Sequence, residues 1–190
     1  QGCPVEYTHQ VMDISLQGDY GSISCVRFDG EFAGVKYHSH VFTLEIIPPA
    51  FPAATDLTKV QNFIIWLAQY INIVSFGSDQ YQSSQIRQEV VKALDIPDVR
   101  VSLDSTDLPH LSWLSACASH RFKMKYYERL DKEIREAVHD IKRRRVVKRK
   151  GSSDDQFQSV VGAYFLSDTL GSTTAQVPER VNIVGAGQAQ

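Results

Sequence analysis

Residues 10–47, QVMDISLQGDYGSISCVRFDGEFAGVKYHSHVFTLEII, decide the fold class. In Gln10–Leu16, Met12, Ile14 and Leu16 alternate with Val11, Asp13 and Ser15, which is the period of a strand. Gly18-Asp19-Tyr20-Gly21 reads as a turn, and Ser22–Phe28 alternates again. Asp29-Gly30 and Gly34 mark a second turn, and the β-rich run Val35–Ile47 is stopped by Pro48-Pro49. The pattern predicts an antiparallel β-meander of three strands.

Downstream the period lengthens. Asp56 is placed to cap a helix to about Ile71, with Leu57, Val60, Ile64, Leu67 and Ile71 at helical spacing; Phe63, Ile65 and Trp66 widen its apolar face. Ser83 or Ser84 opens a shorter helix to Leu94, before Pro97. Val99–Leu103 alternates as a strand, and Asp107 with Pro109 starts a helix through Leu111, Leu114 and Ala118. Residues 120–127 fit a strand with one basic face or the start of a helix. From Glu128 to about Arg145 the spacing predicts helix, supported by Glu128–Lys132 and Asp131–Arg135 pairs. Gly151–Gln156 reads as a polar linker, Ser159–Ser167 as an apolar β-like run, and the residues after Gly171 as a mobile tail. The expected architecture is α+β: a β-meander packed against a small set of helices, with a basic C-terminal helix. One domain is expected over residues 1–170, with a basic arm at 121–150 and a flexible tail at 171–190.

The composition is that of a globular chain, 43% hydrophobic and 22% charged over 190 residues, enough to bury a core without staples. No apolar run reaches the ~18 residues of a membrane helix, and no basic-plus-apolar leader is present, so the expectation is neither transmembrane nor secreted. The start at Gln1 predicts a processed or trimmed form, and Cys3, Cys25 and Cys117 read as free thiols in a reducing compartment. The net charge of −2 conceals a split. Residues 121–150 carry thirteen Lys/Arg against five Asp/Glu, so an acidic body bears one basic arm. Such asymmetry points to an anionic partner.

Lys142, Arg143, Arg144, Arg145, Lys148, Arg149 and Lys150 place seven cations in nine positions. Folding has no use for so many adjacent like charges. Their chemistry suits nucleic-acid phosphates, an anionic lipid surface or a nuclear-import receptor. Arg121, Lys123 and Lys125 interleave with His120, Phe122, Tyr126 and Tyr127, a pattern of stacking plus phosphate contact when exposed and of ordinary core when buried. His38 and His40 share one face of a strand and would hold a metal only with a further ligand such as His9, Cys25, His110 or His120. Their segment, Lys36–Glu45, superficially resembles the His-Gly-His strand of the zinc-dependent pterin synthase family, with Ser39 in place of the glycine. The expected reading is packed or surface histidines and no cofactor. Asp104 and Asp107 read as loop and cap residues, and Cys117 as a small buried hydrophobe. Gly-x-Ser-x-Gly, Gly-x-Gly-x-x-Gly and Cys-x-x-Cys are all missing.

Phe42-Thr43-Leu44-Glu45-Ile46, the proline turn Pro48–Pro52 and the Trp66 helix Asp56–Ile71 together resemble the core of matrix proteins of negative-strand RNA viruses, rhabdoviruses in particular. That resemblance implies a non-enzymatic viral structural protein that self-associates as a homo-oligomer and touches membrane peripherally. Its basic arm would engage RNA, a nucleocapsid or anionic lipid, and would serve as a nuclear localisation signal. The implied locations are the virion and the host nucleus or cytoplasm. The alternatives are a cellular nucleic-acid-binding or nuclear adaptor domain and, more distantly, a pterin-synthase-like zinc enzyme using His38 and His40.

Overall fold

The computed structural model describes residues 10–17, 20–47, 56–78, 84–99, 103, 105–149 and 152–170. β1 (Gln10–Gln17), β2 (Tyr20–Phe32) and β3 (Val35–Ile46) pair antiparallel in chain order. β2 turns into β3 through Ala33 and Gly34, whose φ values are 52° and 76°. Positive φ at both central residues is the tight-turn geometry whose twist matches the strands it joins.

α1 (Leu57–Leu67) follows, and Asp56 caps it: its carboxylate accepts from the Thr58 and Lys59 N–H groups at 3.1 and 3.3 Å. β4 (Ile73–Ser78) then lies parallel to β1. β5 (Phe122–Lys123) lies parallel to β3, giving the order β4-β1-β2-β3-β5. The sheet is therefore mixed, where the sequence predicts a meander alone. β4 is nearly all buried and carries no polar alternation, so no period betrays it.

Side chains alternate across the sheet. Ile23 and Cys25 pack with Ile64, Ala68, Ile73 and Phe76, and with Ile86 and Val90 of α2 (Ser84–Leu94). The opposite face takes α5 (Asp155–Leu170), flanked by α3 (Leu108–Ala118) and α4 (Glu128–Glu136). There Val26, Trp113, Phe122, Leu130, Phe157, Val160 and Tyr164 form a second core. The Tyr164 ring meets Phe122 edge-on at 5.3 Å and His38 at 5.2 Å.

The structure overturns several expectations. The apolar stretch 159–167 is helix, not strand, and residues 154–156 are buried, with helix from Asp155, not linker. α5 is enclosed on nearly every side, so it shows no polar stripe, and periodicity cannot tell such a run from a buried strand. The basic helix ends early. Ala137 is extended (ψ 136°), and β6 (Ala137–Asp140) pairs with β7 (Arg145–Lys148) as a hairpin. Lys142, Arg143 and Arg144 occupy its turn, where the Asp140 carboxylate accepts from the Arg143 N–H at 3.1 Å. A helix would have stacked these like charges three and four apart, whereas the hairpin spreads them and uses the β-branched Val138, Val146 and Val147. Asp107 sits at the cap position of α3 but makes no side-chain cap; its carboxylate instead meets His139 Nε2 at 2.9 Å. Of residues 120–127, only Phe122–Lys123 is strand. The predicted strand 99–103 begins beside the Phe76–Asp98 bridge, but residues 100–102 lie outside the described residues, as do Pro48–Pro52, Asp104, Lys150, Gly151 and the tail 171–190.

Candidate active site

The register locates one end of the sheet. Asp13 on β1 stands opposite Ser24 on β2 and beside Gly77, next to the last residue of β4. The C-terminal end of β4 thus comes alongside the middle of β1, where Asp13 stands; strand ends of this kind are where open sheets with parallel strands hold their ligands. Ladder partners share a face, so position 13 lies on the face of Ser24, which is the face that α5 covers.

A chain of buried hydroxyls ties the first turn of α5 to this place. Ser22 Oγ donates to the Asp155 carbonyl at 2.6 Å and lies 2.7 Å from Ser159 Oγ. Ser159 Oγ meets Ser24 Oγ at 2.7 Å, Ser24 meets Thr43 Oγ1 at 2.7 Å, and Thr43 meets His40 Nε2 at 2.8 Å. Ser159 Oγ also donates to the Gln156 carbonyl at 3.0 Å, so the hydroxyls of Ser22, Ser24, Thr43 and Ser159 form one buried network tied to two carbonyls of the first turn of α5. Burial lowers the His40 pKa to about 4, so the ring enters this network neutral.

Three buried carboxylates gather at the start of α5: Asp154, Asp155 and Glu133 from α4. Glu133 Oε2 accepts the Phe157 N–H at 3.0 Å and so caps the helix from outside. Arg129 donates from Nε to Glu133 Oε1 at 3.0 Å, lies 3.6 Å from Asp155 Oδ2, and also pairs with Glu45 of β3. Asp154 Oδ2 accepts from Gln158 at 3.1 Å, while its Oδ1 faces Lys148 of β7 at 3.3 Å. Asp155 Oδ2 accepts from Ser153 at 2.8 Å, and its buried Oδ1 has no hydrogen-bond partner. Burial raises the Asp155 carboxyl above its ordinary range, and the like charges of Glu133 and Asp154 add to the shift against the Ser153 bond and Lys148. Such a cluster is short of positive charge.

The basic hairpin abuts it. Beyond the Lys148–Asp154 contact, Arg144 lies 3.9 Å from Asp107, which His139 also engages. A cleft of about 360 Å³ is lined by Arg129, Lys132, Glu133, Glu136 and Arg149. The sequence treats Arg121, Lys123 and Lys125 as part of the same arm, but they sit elsewhere: Arg121 lines a cleft with Lys36, Tyr37 and Asp168, and Lys123 and Lys125 lie on the β5 edge.

His38 and His40 are buried beneath α5 and α4, against Tyr164 and Tyr127. Among the described residues no three His, Cys, Asp or Glu side chains gather to hold a metal. Burial raises Cys117 to about 11 and Cys25 to about 12, so neither is a thiolate nucleophile. In the sequence Asp13, Asp154 and Asp155 are only an acid inside an alternating strand and an acidic pair before a long apolar run, the one local trace of their place.

No protein-family model and no curated protein matches the chain. Solved structures share its fold. The HK97 bacteriophage large terminase superposes with a TM-score of 0.60 at 13% identity, over 84% of this chain and 39% of that one. The large terminase nuclease of thermophilic phage G20c gives 0.59 at 14% identity, over 85% and 83%. The same nuclease with bound magnesium gives 0.57 at 12% identity, over 84% and 82%. This chain spans about two fifths of the HK97 terminase and most of the G20c nuclease domain. The fold is thus RNase H-like, as in phage large terminase nuclease domains, and not that of a rhabdovirus matrix protein. The non-enzymatic structural role falls with that resemblance, and with it the nucleocapsid, RNA, lipid, import-receptor and homo-oligomer partners and the adaptor and pterin-synthase alternatives. No helix among the described residues is long and apolar enough to cross a membrane.

Proposed function

We propose that the chain is a divalent-metal-dependent nuclease that cuts DNA phosphodiester bonds. Asp13, Asp154 and Asp155 would be its metal-holding carboxylates. One observation carries the reading: the acidic first turn of the buried helix α5 is anchored, through Ser22, Ser24 and Ser159, beside the middle of β1, where position 13 pairs with Ser24 and the C-terminal end of β4 arrives. The nuclease identity of the neighbours with this fold supports it. Asp79, next in the chain after Ser78 and outside the described residues, is a further candidate.

The donor chemistry suits a hard cation, although Glu133, Asp154 and Asp155 by themselves are not arranged as a metal site. The donors are all carboxylate oxygens, the set that suits magnesium or manganese. The orphaned Oδ1 of Asp155 is a buried acceptor with a free lone pair, and the raised carboxyl marks uncompensated negative charge that a cation would relieve. Bound there, the ion would supply Lewis-acid stabilisation of the phosphate and a more acidic water. The chain's own residues do the rest. Arg129 clamps Glu45, Glu133 and Asp155 in one arrangement, and Glu133 fixes the helix start. Lys142, Arg143, Arg144, Arg145, Lys148 and Arg149 would neutralise DNA phosphates beside the carboxylates, while Asp107 holds the hairpin to α3 through His139 and Arg144.

The test is cleavage of linear and circular DNA by the full chain, with magnesium or manganese against a chelator. Metal-dependent cutting that is lost in Asp13→Asn and Asp155→Asn, both still folded, is the expected result. Absence of cutting by the folded wild-type chain with either metal, or cutting by both variants at the wild-type rate, would refute it.

A further inference from the structure

The structure divides what the sequence presents as one basic arm. β5 pairs with β3 through His38–Phe122 and Ser39–Lys123. Phe122 is buried against Tyr164, on the α5 face. Lys123 therefore belongs to the other face, with Ser39 and with Arg27, the partner of Ser39 on β2. These residues, with His40 and Lys125, line a depression of about 260 Å³. Arg27 is held by Asp29 at 2.7 Å, and Asp29 also accepts from Ser39. Lys123 and Lys125 are exposed, and among the described residues neither has an ion-pair partner. Beside them Tyr126 is 77% exposed and Met124 43%.

A wet aromatic ring flanked by unpaired cations does nothing for folding. Its complement is a chain that offers anions and flat rings by turns. An unpaired nucleic-acid strand does so, because its phosphates meet the lysines and its bases are free to stack on the tyrosine. A duplex supplies the phosphates but keeps its base faces stacked on one another. Strand spacing and rise put Lys123 about 20 Å from position 13 within the sheet but on its opposite face, so a strand would reach it round the β5 edge.

We propose that Arg27, Lys123, Lys125 and Tyr126 form a binding surface for single-stranded nucleic acid at the β5 edge, separate from the basic hairpin. It rests on the nuclease reading only for the source of that strand, a frayed or newly cut end of the substrate.

The experiment uses the full chain and a fluorescein-labelled single-stranded oligonucleotide, with a duplex of the same sequence alongside. Binding is read by anisotropy in chelator across a salt series, so that no cleavage intrudes. Lys123→Ala with Lys125→Ala should flatten the single-strand log-affinity against log-salt slope by about 1.4, at ~0.7 per phosphate contact. Tyr126→Ala should weaken single-strand binding at least about fivefold with the slope intact, leave the duplex unchanged, and be rescued by Tyr126→Trp. All these side chains are exposed, so melting temperatures should not move. Unchanged single-strand affinity and slope would overturn the proposal, and so would equal losses on duplex and single strand. Since the measurement needs neither metal nor turnover, a chain that fails to cut DNA leaves it standing, and a chain that cuts DNA but binds as before in both variants refutes it alone.

Discussion

Replacing Asp155 by Asn separates two demands that meet at one buried carboxyl. Asp155 is 3% exposed, and burial, the like charges of Glu133 and Asp154 adding to it, raises its pKa above the ordinary 3.8. A carboxyl that holds its proton more tightly when folded contributes its full stability below the unfolded pKa and loses it as pH rises through the folded value. At neutral pH the metal-free protein thus carries a buried charge that weakens it. Asparagine keeps the shape and an acceptor for Ser153, and Arg129 keeps Glu45 and Glu133, so no cation is orphaned. The variant should therefore melt above the wild type in chelator. A divalent ion should invert that order. For a site of about 1 mM affinity, metal at about 10 mM stabilises the folded state by roughly 1.4 kcal/mol. In a chain of this length that is a rise of about 3–6 °C, while the variant should gain under ~1 °C. Calorimetry or dye-monitored melting, with and without magnesium, reads both effects. Equal metal-induced shifts in the two proteins, or a variant less stable than wild type in chelator, would refute the reasoning.

Neutralising Lys142, Arg143 and Arg144 together should lower the salt slope of duplex-DNA binding by up to about 2.7, at ~0.9 per phosphate contact; a filter-binding series checks this, and an unchanged slope places the duplex elsewhere. Ser159→Ala removes the hub that joins Ser22 and Ser24 to α5, leaves buried hydroxyls short of a partner, and should cost about 1–3 kcal/mol in urea unfolding. His40, lowered by burial from 6.5 to about 4, binds its proton more readily unfolded, so its stabilisation is complete above 6.5 and is lost as pH falls towards 4. That amounts to roughly 3 kcal/mol of acid sensitivity, which His40→Gln should remove from the pH profile of stability.

What a single chain reveals depends on how local its physics is. β1 to β3 are legible because polar and apolar residues alternate in their sequences, as Ser22 and Ser24 do with Ile23 and Cys25 between two differently lined buried faces, and α1 and α2 are legible because each has a wet and a dry side. The Asp131–Arg135 pair, a contact within one helical turn, forms at 2.8 Å as the spacing predicts. α5 is illegible because it has no wet side: between Asp155 and Ser167 only Phe165 escapes full burial, so Val160, Val161 and Tyr164 read as strand. The end of α4 is hidden differently. Its apolar spacing continues through Val138 and Ile141, and only the pairing of Val138 with Val147 and of His139 with Val146 decides for a hairpin. The basic run stands out because like charges are adjacent in sequence. Asp13 and Asp155 do not, since each alone is an ordinary residue and 142 positions separate them. In the proposed site they meet only through long-range contacts, the pairing of position 13 with Ser24 and the contacts of Ser22 and Ser24 with the first turn of α5. The proposed chemistry therefore rests on the molecule's longest-range contacts, and a substitution that loosens them, such as Ser159→Ala, should reduce the magnesium-induced rise in melting temperature even though Ser159 would touch no ion.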